Sequence, residues 1–363
     1  MKRVYFSDVH LNVHRHNRGA YKYVWMSENK RDSFVSFLKY LNRIEDLREI
    51  ILVGDILDNW VCPIDVVPPT YREILEAPFN AEIVAVLKLI DENPTKEIIY
   101  IPGNHDMDVD KATMKTYFPN MVFGGNQLSG ALYVADGAVA EHGTSSAMFN
   151  GPDPGSDPVN KRPLGYFISR VAATAEARNQ NDIKVIERIL EAFSIFMFKK
   201  GSLGERVFNT IVSFAGLPED EPIVMPDGST VFFNDIRAKY SDIYGRWKNG
   251  KHLLGPDQAV AADAGCVDVM VDPLLKKNSA KIVILGHTHS EVNTPLPPPA
   301  PEAPFAEEVQ ALYENCGCWC DKKTTSDFVE TEVIGKKHHV RMKYWDGVQA
   351  KTNGNTYYVK LDK

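Results

Sequence analysis

The sequence predicts an α/β protein built on a mainly parallel sheet with helices packed against it. Three observations carry that expectation. Strand-like and helix-like segments alternate through the first third of the chain. Apolar residues in the helix-like segments recur at helical spacing. The strand-like runs end in carboxylate, imidazole or amide residues, and ligands in open α/β sheets bind at the carboxyl ends of strands.

The elements follow in order. "RVYFSD" is a short apolar run and reads as the first strand. "NKRDSFVSFLKYLNRIED" sets Phe34, Phe37, Leu38, Leu41 and Ile44 on one helical face. "EIILVGD" is a β-branched run and reads as a buried strand. "NAEIVAVLKLIDEN" is helical and is closed by Pro94. "EIIYIPGN" is the third strand. In "ALYVADGAVAEHG" two apolar runs flank Asp136-Gly137, a strong signal for a tight hairpin. "SSAMFNGPDPGSDP" opens a segment of different character, helical and loop-rich to about Asn278, with helical patterns in "DIKVIERILEAFSIFMFKK" and "GERVFNTIVSFAG". "AKIVILGHTHS" returns to a buried strand. "TPLPPPAPEAPF" reads as an extended surface loop. The tail, "YENCGCWC", "SDFVETEVI", "KHHVRMKYW" and "TYYVKL", reads as several short strands, with His338 and His339 on an exposed one.

Composition narrows the function classes. The 363 residues suit one large domain or two. A formal charge of −7 gives no electrostatic reason to expect long nucleic acid as a partner. No apolar run is long enough for a transmembrane helix, and the polar start does not read as a signal peptide. The five cysteines are an odd number, which points to a reducing cytoplasm rather than a disulfide framework. Cys316, Cys318 and Cys320 alternate along what reads as a strand, so they are expected as small side chains on one buried face, not around a metal.

The chemistry lies at the strand ends. The first ends in Asp8-Val-His10, the second in Gly54-Asp55 with Asp58 three residues on. The third ends in Gly103-Asn104-His105-Asp106, the hairpin in His142-Gly143, and the late strand in Gly286-His287-Thr288-His289. Carboxylate, imidazole and amide oxygen together suit divalent Mn, Fe or Zn without thiolate. Asp8, His10, Asp55, Asn104, His142, His287 and His289 are too many donors for one tetrahedral ion and suit two ions sharing a carboxylate.

The five blocks in this order resemble the calcineurin-like metallophosphoesterase family, over residues 1–143 and 281–334. The resemblance implies a four-layer α/β/β/α sandwich, formed by residues 1–143 and 281–363, with residues 144–280 as a helical and loop-rich cap inserted between its halves. It implies that Asp8, His10 and His289 hold one metal, that Asn104, His142 and His287 hold the other, and that Asp55 bridges them. Manganese is the first expectation for the pair, with iron and zinc as alternatives. The implied reaction is hydrolysis of a phosphate ester or pyrophosphate bond by a hydroxide shared between the ions. His105 is then placed as general acid and Asp106 as the carboxylate that orients it. Asp58 has two open roles, beside the ligands or capping the helix that follows. His14, with His16 and Arg18, is a candidate for substrate contact.

"GDILDNW", "GHTH" and "NCGCW" are also similar to the branch that contains UDP-2,3-diacylglucosamine pyrophosphatases, whose substrate is a nucleotide-lipid. The chain differs from that branch by His105 in place of arginine and by Thr144 after His142-Gly143. A scaffold of the same fold without turnover is the alternative outside enzymology; it would be expected to lack ligands or His105. The expected partner is therefore a phosphorylated small molecule or nucleotide-type substrate, with no obvious protein partner. "AFSIFMFKKG" is the one segment that suggests a lid or a membrane-surface contact.

Overall fold

The computed structural model describes residues 1–13, 25–124, 131–153, 162–178, 208–209, 212–213, 216–250, 252–263, 265–298, 305–320 and 325–361. The first third comprises β1 (Lys2–Phe6), α1 (Glu28–Arg43), β2 (Leu47–Val53), α2 (Tyr71–Glu76), α3 (Ala81–Asp91), β3 (Glu97–Ile101), α4 (Lys111–Tyr117) and β4 (Val122–Phe123). The four strands run parallel in that order. In α1 the Ser27 hydroxyl accepts the Lys30 N–H and Glu28 sits in the first turn, so cap and dipole both favour a start there. The helix buries Phe34, Val35, Phe37, Leu38 and Leu41 and stops at Arg43. Ile44 is therefore beyond it, with extended backbone.

β5 (Tyr133–Ala135) and β6 (Ala138–Ala140) form the expected hairpin. Asp136 and Gly137 both take left-handed backbone, φ 48° and 75°, as this tight turn demands. The inserted segment contributes α5 (Leu164–Arg178), a two-residue hairpin of β7 (Ile223–Val224) and β8 (Thr230–Val231), α6 (Phe233–Tyr240), α7 (Ile243–Asn249), α8 (Pro256–Asp263) and α9 (Val271–Asn278). The helical pattern over 182–200 lies outside the described residues, as do His14, His16 and Arg18.

The chain then runs through β9 (Ile282–Leu285), β10 (Glu291–Leu296), β11 (Ala311–Cys316), β12 (Ser326–Ile334), β13 (Lys337–Trp345) and β14 (Ala350–Lys360). The start of the Pro-rich segment is strand rather than loop. Pro295 lies in β10, an edge strand, where a missing N–H is tolerated.

Besides the β7-β8 pair, two sheets result, of seven strands in the order β14-β13-β12-β1-β2-β3-β4 and of five in the order β10-β11-β9-β6-β5. Alternation along each strand sorts side chains into three apolar layers. Val4, Phe6, Ile50 and Leu52 face the outer layer, where Phe37, Leu38, Ile83 and Leu87 of α1 and α3 cover them. Tyr5, Ile51 and Val53 face the other way, onto Ala138, Ala140, Ile282 and Ile284 of the second sheet. Val139, Val283 and Leu285 turn outward to Val267, Met270, Val271 and Leu274 of the inserted segment. This is the expected four-layer sandwich. The outer layer over the second sheet comes from the insertion, whose α9 packs on β9 and β6. Arg170 of α5 ties the insertion to the first half: its guanidinium donates to the carbonyls of Cys62, Pro63 and Val66.

One tail residue departs from expectation and a second is buried without a partner. His338 is buried, not exposed, with Nδ1 2.9 Å from the Asp136 carbonyl oxygen at the hairpin turn. Glu314 is buried on β11, on the side of Leu312 and Cys316, and neither carboxyl oxygen has a hydrogen-bond partner. Burial alone pushes its carboxyl well above the ordinary 4.5. The folded state thus keeps a proton that the unfolded chain releases, and its share of stability falls as pH rises above about 4.5. Glu314→Leu is expected to stabilise the fold by about 1–3 kcal/mol. The gain should grow between about pH 5 and pH 8 in urea unfolding; a loss of stability at the higher pH would contradict it.

Candidate metal centre

The donor residues leave the ends of β1, β2, β3, β6 and β9, so the topology brings five loops to one edge. Backbone conformation marks them before any side-chain distance does. Asp8, His10, Asp55, His287 and His289 all take left-handed φ, between 50° and 73°. Such conformations cost energy for side chains with a Cβ and persist where the surrounding structure enforces them for function. Among described residues only Asp136 and Ser279 share this without being predicted donors. Gly54 supplies the room: φ is +82°, and a Cβ there would stand 2.5 Å from the His142 ring.

Two of the donor groups among the described residues share Asp55. Ligand atoms of Asp8, His10 and Asp55 lie within 4.8 Å of one another, and so do those of Asp55, His142 and His287. His289 Nε2 is 3.3 Å from both Asp8 Oδ1 and His10 Nε2. Asp55 Oδ2 is 3.1 Å from His142 Nε2 and 3.7 Å from His10 Nε2. Yet Asp8 Oδ1, Asn104 Oδ1 and His142 Nε2 are buried without a hydrogen-bond partner. Buried oxygen and nitrogen atoms left without a hydrogen-bond partner suit donors to cations. The set of carboxylate, imidazole and amide oxygen fits divalent cations.

Tautomers are set from behind. His10 Nδ1 is 2.9 Å from Asp58 Oδ2, and His142 Nδ1 is 2.8 Å from the Val53 carbonyl oxygen. Each contact places the proton on Nδ1 and leaves Nε2 to coordinate. Electrostatics agree. Burial disfavours a charged His142, but Asp55 and Asp8 outweigh it and raise it to about 9. His289 is raised to about 10 because Asp8 and Cys318 likewise outweigh burial. Burial and the neighbouring His142 lower His287 to about 3, so it stays neutral. Carboxylates that hold protons on these rings hold a divalent cation in their place.

The residues after β3 divide their work differently from expectation. His105 Nδ1 is 3.0 Å from Asp58 Oδ2, and its backbone N–H donates to Asp55 Oδ1 at 2.8 Å. Asp106 does not orient His105. Its carboxylate accepts from Tyr100 Oη and from the backbone N–H groups of Gly103, Asp55, Ile56 and Leu57. It binds the loop after β3 to the loop after β2, so it places Asp55 rather than His105. Asp58 caps no helix, because the chain after it runs through turns to α2: Oδ1 accepts the Trp60 and Val61 N–H groups of that turn, and Oδ2 faces His10 and His105. Asp58→Asn is expected to keep the fold and cost about 10–100-fold in metal affinity or turnover. Unchanged metal binding and turnover in equilibrium dialysis and rate assays would remove it from the site.

Sequence reading missed the aromatic walls and the cysteine turn. Trp60 lies 4.7 Å from the His105 ring, and Trp25 lies 5.0 Å from His10 and 5.2 Å from His289. A Trp has no local pattern that announces it as a neighbour of these histidines. "CGCWC" does not continue as strand. β11 ends at Cys316 because Gly317 turns left-handed at φ +66°, and the following turn donates the Trp319 N–H to the Asp8 carbonyl oxygen at 3.0 Å. None of the five cysteines forms a disulfide. In the inserted segment Arg162 pairs with Asp108 and Arg170 holds backbone carbonyls, as above. No described helix is long and apolar enough to cross a membrane.

Comparison with known proteins completes the description. A search of curated proteins finds no match. Similar solved structures include a dimetal phosphatase from Danio rerio, 11% identical with a TM-score of 0.42, covering 97% of this chain and 98% of that one. Vps29 from Entamoeba histolytica, as a single mutant, is 8% identical with a TM-score of 0.36, covering 100% of each chain. These likenesses are too distant to carry the assignment. The model of the calcineurin-like phosphoesterase family matches residues 1–291. With that match over the strand ends that carry the donors, the chain belongs to the calcineurin-like phosphoesterase family.

Proposed function

We propose that this chain hydrolyses a phosphate ester or pyrophosphate bond in a phosphorylated small molecule or nucleotide-type substrate. Asp8, His10 and His289 would hold one divalent cation, Asn104, His142 and His287 a second, and Asp55 both. The observation that carries the reading is the place of Asp55 in two converging donor groups. Two divalent cations at such a site supply Lewis-acid activation of the phosphate and of water.

The chain's own residues do the rest. Nδ1 of His105 faces Asp58, which leaves Nε2 as the nitrogen that delivers a proton to the departing oxygen. Asp58 Oδ2 hydrogen-bonds His10 and stands 3.0 Å from His105 Nδ1, so acid and metal ligand face one carboxylate. Trp60 lies against the His105 ring and shields it from water. Asp106 and Tyr100 fix the two loops on which Asp55 and His105 ride.

The test compares a phosphate monoester, a phosphodiester and a nucleotide diphosphate conjugate, on chain stripped by chelator and then reloaded with Mn²⁺, Fe²⁺ or Zn²⁺. Turnover that returns with metal, at two ions per chain, is the expected result, and the preferred ester names the substrate class. Two ions bound with no turnover of any of the three would instead favour a binding scaffold.

A further inference from the structure

The turn after β11 carries an additional donor to the cation site at His289. We propose that Cys320 ligates the cation held by His10, His289 and Asp8, which makes this half of the centre a mixed nitrogen, oxygen and sulfur site. The proposal rests on the two-cation reading above and refines it.

Four observations converge. Cys320 Sγ and ring nitrogens of His10 and His289 lie within 4.8 Å of one another. Donors on one tetrahedral zinc, at about 2.1 Å for nitrogen and 2.3 Å for sulfur, lie about 3.5 Å apart, so small side-chain adjustments bring all three onto one ion. Asp8 Oδ1 is buried and has no hydrogen-bond partner, although it stands 3.3 Å from His289 Nε2 and 3.7 Å from His10 Nε2. Those two ring nitrogens face each other at 3.3 Å, an arrangement natural around a shared cation. Finally, the turn is tied to the site. Trp319, next to Cys320, donates its N–H to the carbonyl of Asp8 itself, and Cys320 is fully buried.

The other two cysteines of the motif do different things. Cys316 lies in the apolar layer between the sheets. Cys318 makes its contact with the His289 side chain. Only Cys320 belongs to a donor group among the described residues. Coordination releases the thiol proton to solvent and leaves a thiolate on the ion. A soft thiolate favours zinc or ferrous iron over manganese, so the two halves of the centre differ in metal preference: the His289 half takes the softer ion, and the half of Asn104, His142 and His287 has no sulfur.

Cobalt substitution reads this directly. The full chain is titrated with Co²⁺ and its spectrum recorded. Visible d–d bands report ligation at the centre, and an intense near-ultraviolet sulfur-to-cobalt band reports thiolate. The expected result is both bands in the unmodified chain and in Cys318→Ser, with the sulfur band alone lost in Cys320→Ser. Visible bands without a sulfur band, or a sulfur band that survives in Cys320→Ser, would overturn the proposal and leave the two-cation reading intact. Absence of any cobalt signal would overturn both. Should Cys320→Ser fail to fold, a sulfur band in the unmodified chain that persists in Cys316→Ser, Cys318→Ser, Cys62→Ser and Cys266→Ser assigns the ligand by elimination; its loss in any one of these refutes it.

Discussion

Asp55→Ala is expected to release both cations at once and reduce hydrolysis by at least about 10³-fold, the upper end of what removal of a single electrostatic contact costs. In the proposed set each other donor holds one cation, so Asn104→Ala should release one and leave the second. Asp55 serves two, and its Oδ1 also receives the His105 N–H. Its removal therefore costs metal, acid positioning and local charge balance together. The proton side of the same change is measurable. Asp55 heads the groups that, against burial, raise His142 to about 9. In the metal-free chain His142 should then titrate lower in Asp55→Ala, by histidine NMR. In the unmodified chain cations compete with those protons, so apparent metal affinity should rise with pH up to about 9, with proton release on binding. Two ions retained by Asp55→Ala would show that the centre is not bridged there.

His105→Ala is expected to lower turnover by about 10²–10⁴-fold on esters with poor leaving groups, while metal content stays at the unmodified level. The size should depend on the leaving group. An activated aryl ester needs little proton donation and should lose much less than an alkyl ester. That split separates a general acid from a residue that merely packs between Trp60 and His10. Equal losses on both esters, or loss of metal, would assign His105 to positioning instead.

Much of the site was legible because its chemistry is local in sequence. A run such as "GNHD" or "GHTH" announces itself: several polar side chains stand together where a strand ends, more than a turn needs. The strands that deliver them were legible for the same reason, since apolar runs and helical spacing are short-range signals. The left-handed backbone at Asp8, His10, Asp55, His287 and His289 extends that logic, because the strain sits on the very residues that the spacing singled out.

What sequence could not assign was partnership across loops. Asp106 follows His105 directly, and adjacency suggested that one orients the other. The fold gives Asp106 to the β2 loop and assigns His105 to Asp58, a residue from another strand end. Cys318 and Cys320 read as strand because their alternation is strand-like, but Gly317 ends the strand and swings them toward Asp8 and His289. The insertion read as a cap, and the sequence did not show that its α9 covers the second sheet. The sequence by itself determined which residues can donate to a cation and that they leave the ends of strands, because residue type and periodicity are properties of the local chain. The tertiary structure alone decided which carboxylate faces which imidazole, because hydrogen-bond partners at 3 Å are chosen by sheet order and by turns that bring distant segments together.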